Sequence, residues 1–293
     1  MSPNLKGAGL MMASMACFVT NDAFMKALSD ELPLAQAVAL RGVSTCVLML
    51  ALMRVMRAPK YRLSARDSRL IWLRNAMEVG TAYFFISALF NMPLANATAI
   101  LLALPLTVTL AGAVFLGQPV GWRRLAAIGV GLGGVLLIVR PGLEGFNIYS
   151  IYALVVVVLV TARDILSRKL SPDVPSLLVA FRNAISVMVA FGLASLFVDW
   201  QPVSPMAAFQ LGAASLVIIG GYSCAVAAMR VGEVAVISPF RYFSLIWSLL
   251  IGLIVFSEWP DQLTLTGAAI VVVTGVYTFY REQRIARGAE LRQ

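Results

Sequence analysis

The chain has 293 residues, 60% of them hydrophobic and only 13% charged, with a mean hydropathy of +0.87 and a formal net charge of +9. Soluble domains carry about 45–50% apolar and about 25% charged residues, so these charges are too few to coat a water-facing surface. An ordinary soluble fold is excluded, and an all-α integral membrane protein is expected. The chain has no histidine, which removes imidazole-based catalytic triads and His-ligated metal centres. Cys17, Cys46 and Cys224 each sit in apolar stretches without a CxxC pair, so neither a disulfide framework nor a thiolate metal site is expected.

A spanning helix needs about 20 mostly apolar residues. On that measure ten transmembrane helices are predicted, near 5–28, 34–56, 70–91, 94–116, 121–139, 148–168, 176–198, 207–229, 235–256 and 262–280. Prolines mark nearly every break: Pro33, Pro59, Pro93, Pro119, Pro141, Pro172, Pro175, Pro202, Pro205 and Pro260. A fixed φ and a missing N–H end helices at such points; the break at Gly232-Glu233 is the weakest. Ala13-Ser-Met-Ala-Cys17 faintly resembles a lipoprotein cleavage site, but the apolar run continues past it and a retained first helix is expected.

Basic residues set orientation through the positive-inside rule. Lys6, Arg54, Arg57, Lys60, Arg62, Arg66, Arg69, Arg74, Arg123, Arg124, Arg168, Lys169, Arg230 and the tail arginines 281, 284, 287 and 292 alternate onto one side. That places 17 of the 23 basic residues there. The opposite loops hold Asp30, Glu31, Glu144, Asp199, Glu258 and Asp261, with only Lys26 and Arg140 as cations. Both termini are predicted to be cytoplasmic. The +9 then reports topology, and no nucleic-acid partner is expected.

A shift of 141 residues aligns the sequence with itself: Phe18-Val-Thr20 on Leu159-Val-Thr161, Arg41 on Arg182, Phe115 on Phe256, Pro119 on Pro260, Gly134-Val135 on Gly275-Val276. Two five-helix repeats are therefore predicted, over 1–141 and 142–293. An odd helix number inverts the second against the first, an arrangement characteristic of secondary transporters with a substrate site near the midplane.

Phe115-Leu-Gly-Gln-Pro119 followed by Gly129-Val-Gly-Leu-Gly-Gly-Val135 resembles the helix-four/helix-five signature of EamA-type carriers of the drug/metabolite transporter superfamily. Phe256-Ser-Glu-Trp-Pro260, with Gly267 and Gly275 beyond it, repeats the signature; the second copy has Glu258 where the first has Gln118. Within that superfamily the chain is similar to the YddG-type amino-acid exporters. The resemblance covers essentially the whole chain. It implies an alternating-access carrier in a bacterial inner membrane, in many cases an exporter of amino acids or small metabolites.

Ionisable groups inside a bilayer are costly and so are candidate functional groups. Asn21, Asp22 and Lys26 lie in span one, and the four-residue spacing of Asp22 and Lys26 puts them on one helical face where they are expected to pair. Arg41 lies across from them in span two. The repeat places Arg163, Asp164 and Arg182 equivalently near the other membrane face, so one polar cluster is expected toward each mouth of a central path. Glu78 and Arg241 are expected to face the inner vestibule. Asp22, Glu78 and Asp164 have two readings, as groups binding substrate or a coupling proton and as parts of a structural salt bridge holding a gate shut. Arg41 and Arg182 lean to structural roles, because arginines near an interface snorkel to headgroups.

Tyr83, Tyr222, Tyr242 and Trp247 lie in helices expected to surround the centre, where an apolar ring with a polar tip suits an amphipathic zwitterion; packing is the simpler reading for any single ring. Pro105 and Pro239 fall inside spans four and nine and are expected to act as hinges. Gly129, Gly131, Gly133 and Gly134 mimic a dinucleotide fingerprint, but a mid-span position favours close helix packing. No catalytic residue, metal or cofactor is expected. An intramembrane enzyme lacks a nucleophile–base pair, and a channel would want continuous polar faces. The function expected is export of amino acids, aromatic ones included, and related metabolites. The alternative is uptake or exchange of a nucleotide-derived metabolite, or multidrug efflux. Proton coupling, and either a monomer or a homodimer, fit this sequence.

Overall fold

The computed structural model describes residues 3–55, 61–117, 121–141, 146–231 and 234–290, and every regular element among them is helical. The helices are α1 (Pro3–Ala27), α2 (Leu34–Val55), α3 (Ala65–Asn91), α4 (Leu94–Leu101), α5 (Leu104–Leu116), α6 (Trp122–Val139), α7 (Ile148–Arg168), α8 (Ser176–Ala194), α9 (Pro205–Val231), α10 (Val234–Ile237), α11 (Phe243–Phe256) and α12 (Gln262–Glu290). Turns of 3-10 helix occupy Ser195–Phe197 and Ser238–Tyr242. The expected features at Arg57, Pro59, Lys60, Gln118, Pro119, Glu144, Gly232-Glu233 and Arg292 lie outside the described residues.

Among the described residues, nine segments are long and apolar enough to cross a membrane. The remaining expected span, 70–91, lies within the 27-residue α3, whose first turns carry Arg66, Asp67 and Arg69 ahead of the span and whose spanning part carries Arg74 and Glu78; α3 packs on α7 and α8. The outer surface of the bundle is apolar: Val114, Phe115, Val158, Phe197 and Ile254 are all exposed. A hydrocarbon surround is the solvent that tolerates so many bare aliphatic and aromatic side chains.

Local chemistry sets the helix ends. Ser64 caps α3, its hydroxyl oxygen accepting the Asp67 N–H at 3.0 Å and its O–H returning to the Asp67 carboxylate at 2.7 Å. Asp67 is buried and also accepts the Ser171 N–H at 3.1 Å and the Ser171 hydroxyl, so these bonds, the one from Ser64 foremost, hold its carboxyl below the usual range. Gly117 ends α5 with φ +64° and its N–H on the Gly112 carbonyl; Ser257 ends α11 with φ +54° and its N–H on Gly252. Left-handed closure of this kind satisfies carbonyls at a helix end.

Spans four and nine are each interrupted, in the neighbourhood of the prolines expected there. At Leu102 the N–H is shared between the Thr98 and Ala99 carbonyls at 3.1 and 3.3 Å, tightening the turn. Pro105 follows in the first turn of α5, where its ring opposes the Leu101 carbonyl. In the second half α10 gives way to the 3-10 turn that begins Ser238-Pro239, and α11 starts only at Phe243. Both prolines expected as hinges thus sit at real helix breaks.

Helix α1 packs on α9, α3 on α7, α2 on α8 and α6 on α12. The last pair meets backbone to backbone. A Cβ on Gly134 would lie 2.9 Å from the Gly267 carbonyl oxygen, and one on Gly267 would lie 2.6 Å from that of Gly134. Gly131 meets Leu106 and Thr274, whereas Gly129 and Gly133 face open space. Only half of the expected glycine stripe is therefore a packing face.

Candidate functional site

Arg163 on α7 is the centre of the largest polar cluster. Its Nη1 donates to Glu78 Oε2 of α3 at 2.7 Å, while Nε and Nη2 both donate to Asp164 Oδ1 at 3.0 and 2.9 Å. Two carboxylates on one guanidinium share their desolvation cost with the cation, which is how charge survives inside a bundle. The cluster continues through side chains that sequence reasoning passed over. Arg74, grouped above with the loop cations, lies one turn before Glu78 and donates Nε to Ser167 Oγ at 3.0 Å. Asn75 donates to Ser186 Oγ at 2.9 Å, and Asn183 of α8 lies beside Glu78. The spacing of Arg74 and Glu78, four residues apart on one helix, was the available signal.

On the other side Asn21 is a relay: its amide oxygen accepts from Arg41 Nη1 at 3.3 Å and its amide nitrogen donates to Asp22 Oδ1 at 2.9 Å. The two groups expected at separate mouths are electrostatically joined. Arg41 is within reach of Asp22, Tyr222 and Glu78, and Tyr222 is within reach of Arg41, Arg74, Arg163 and Glu78. Tyr222 of α9, packed edge-on to Phe18 at 5.1 Å, has charges of both groups as neighbours. Ringed by four charges inside the bundle, Tyr222 is nonetheless 46% exposed. Exposure at such a place points to open space between the helices beside Tyr222, Arg41 and Glu78. Arg241 is exposed and faces Asp164.

Other expectations need correction. Lys26 does not pair with Asp22. It lies 3.0 Å from Glu258 and donates to the Met92 and Leu89 carbonyls at 2.6 and 3.3 Å, because near the end of α1 the carbonyls closing α3 are the better acceptors. Glu258 also accepts the Leu94 N–H at 3.0 Å. Tyr242 is buried against α12 beside Gly275 and Phe279. Trp247 packs into the apolar cluster of Val19, Leu28 and Val38. Tyr83 shares the exposed stripe of Trp72 and Ala76, eleven and seven residues before it, and so looks outward. The Arg182 guanidinium has no hydrogen-bond or ion-pair partner among the described residues.

A lipid-exposed helical bundle with paired charges in its interior defines a multi-pass membrane protein with an interior polar site. Residues 5–140 match the model of the EamA-like transporter family. The chain is 26% identical over 198 residues to an S-adenosylmethionine uptake transporter of Rickettsia conorii, covering 66% of this chain and 65% of that protein. It therefore spans just under two thirds of the length of that relative. A riboflavin transporter of Vibrio cholerae is 24% identical over 71% of this chain and 70% of its own. The pseudopaline exporter CntI of Pseudomonas aeruginosa is 25% identical over 92% of this chain and 95% of its own. A solved crystal structure with 18% identity superimposes with a TM-score of 0.67 over 95% of this chain and 98% of that one, a likeness of fold alone. These three relatives are all transporters.

Proposed function

We propose that the protein is a secondary carrier that moves amino acids or amino-acid-bearing metabolites out of the cytoplasm by alternating access. The observation that carries this reading is the exposed interior Tyr222 beside both signs of charge, Glu78 against Arg41, Arg74 and Arg163, with Asp164 on Arg163 and Asp22 joined to Arg41 through Asn21. A zwitterion presents both signs itself, and such a lining matches it better than a purely anionic or cationic solute. The pairing of helices supports two inverted five-helix halves, 1–141 and 142–293. Counting α4–α5 and α10–α11 as one span each, α1 on α9 and α3 on α7 exchange when the halves are swapped, while α2 on α8 and α6 on α12 map onto themselves. Each half then breaks its fourth span. Basic loops support cytoplasmic termini in a bacterial inner membrane.

The bundle end where α1 finishes is tied by Lys26–Glu258, by Arg140–Asp261 and by Gln36, which exchanges two hydrogen bonds with Gln201 at 2.7 and 2.9 Å. On the proposed topology that end is periplasmic, and the space beside Tyr222 opens inward. Counterflow in proteoliposomes with labelled amino acids, at matched and unmatched pH, tests the reading; absence of amino-acid flux would sink it. A second reading, uptake of a nucleoside-linked metabolite, has the similarity to the S-adenosylmethionine uptake transporters in its favour. Preferential counterflow of S-adenosylmethionine over free amino acids would select it.

A further inference from the structure

The acids of the interior cluster are not equivalent. Glu78 has one oxygen on Arg163 and Asn183 beside it, and its side chain is 15% exposed. Asp22 takes the Asn21 amide, with Arg41 close by. Asp164 differs: both of its bonds from Arg163 fall on Oδ1, and its side chain is 39% exposed, which leaves Oδ2 without a protein partner among the described residues. That face of α7 is the interior one, shared with the buried Val157 seven residues, or about two turns, earlier. Among the cations a similar contrast holds. Arg163 is saturated by two carboxylates, Arg74 is held by Ser167, and Arg41 by Asn21. Arg241 is exposed, has no hydrogen-bond or ion-pair partner among the described residues, and Asp164 is the charge it faces. Its neighbour Tyr242 is turned into α12, and the 3-10 turn over Ser238–Tyr242 sets consecutive side chains about 120° apart, which aims Arg241 away from α12.

We propose that Arg241 and Asp164 form a two-point clamp for the α-amino-acid group: the Arg241 guanidinium binds the substrate carboxylate, and Asp164 Oδ2 accepts from its ammonium. The inference rests on the amino-acid reading above and assigns the two charges of that substrate to residues. Glu78 and Arg163 serve as the scaffold that fixes Asp164, their mutual bond leaving Oδ2 free. Arg241 matches a carboxylate because the planar guanidinium offers two parallel donors, and a helix break carries it, so its position shifts when the halves move.

The test is counterflow of labelled L-phenylalanine into proteoliposomes of the full chain, competed by L-phenylalanine, by phenethylamine (no carboxylate) and by 3-phenylpropionate (no ammonium). Wild-type protein should prefer phenylalanine over each analogue by about tenfold or more, the worth of one charge-assisted bond. Arg241→Gln should weaken phenylalanine competition by a similar factor and leave phenethylamine unchanged, closing that gap; Arg241→Lys should restore part of it. Asp164→Asn should close the gap to 3-phenylpropionate alone. Arg241→Gln protein that retains the phenylalanine-over-phenethylamine preference overturns the clamp. Wild-type protein that moves no amino acid overturns the substrate reading and the clamp together. Should Asp164→Asn fail to fold, the two Arg241 variants still decide.

Discussion

Lys26 and Glu258 meet at 3.0 Å, with the Lys26 side chain 10% and the Glu258 side chain 25% exposed, and the Lys26 ammonium lies 5.4 Å from the Phe256 ring centre. One ammonium thereby joins α1 to the end of α3 and to the segment after α11. Removing the amine in Lys26→Met strands two carbonyls and part of a carboxylate. We expect a loss of roughly 1–3 kcal/mol of stability. The double variant Lys26→Met/Glu258→Gln should recover part of that loss. Thermal unfolding of the purified protein in detergent, arranged as a double-mutant cycle, measures the coupling; additive losses would show that the pair is not coupled.

Adjacent glycines of α6 should behave oppositely. A methyl on Gly134 meets the Gly267 carbonyl and Ile270 at 2.9 Å, whereas one on Gly133 meets nothing within 4 Å. Gly134→Ala should cost about 1–3 kcal/mol through overpacking, and Gly133→Ala should be neutral or slightly stabilising, since alanine favours a helix by about 1 kcal/mol. Equal melting temperatures for the two variants would contradict the α6–α12 contact.

Tyr242→Phe deletes a buried hydroxyl that finds no partner among the described residues. Because an unmade bond costs about 1–3 kcal/mol, the variant should be as stable as the parent or more so, with unchanged counterflow. Lost transport in a well-folded Tyr242→Phe protein would return this ring to the substrate path.

Two carboxylates outside the spanning segments set an acid limit. Asp67 is held low chiefly by the Ser64 hydroxyl, then by Ser171; Asp261 is held low chiefly by Arg140, then by the Thr264 N–H. A depressed folded-state value stabilises the fold fully above the unfolded aspartate value of about 3.9. That contribution fades as pH falls through the folded value. Melting temperature should therefore hold from pH 7 to about 5 and drop below about 4. Asp67→Asn should start lower at pH 7 and fall less on acidification; a parallel acid drop in both proteins would refute the assignment.

Pro105→Ala and Pro239→Ala should each change the counterflow rate with little effect on the amount of folded protein. Each proline borders a helix break that an alanine would help to close. Unchanged rates would remove both from the moving parts.

Hydropathy and prolines marked most helix ends of this bundle in the sequence, because each span must satisfy its own backbone in lipid. Breaks inside spans four and nine were signalled by Pro105 and Pro239, but the extent of the 3-10 turn was not, since it depends on what α12 offers to Tyr242. The charged residues were easy to find and hard to pair. Asp22 and Lys26 have ideal helical spacing, yet Asn21 and Glu258 are closer partners in space. Local spacing states which pairs are possible on one helix; the neighbouring helix decides which of them form. Arg74 was hidden among loop arginines for the same reason, being polar by sequence neighbourhood and interior by helix face.

The contact between Gly134 and Gly267 has a mechanical corollary. Where two helices touch through their backbones no layer of side chains lies between them to be re-sorted by rotamer changes, so sliding one past the other would drive carbonyl into carbonyl. Helices α6 and α12 therefore behave as a single stave, and the compliance of the bundle is left to the segments that are already interrupted, at Leu102–Ala103 and Ser238–Tyr242.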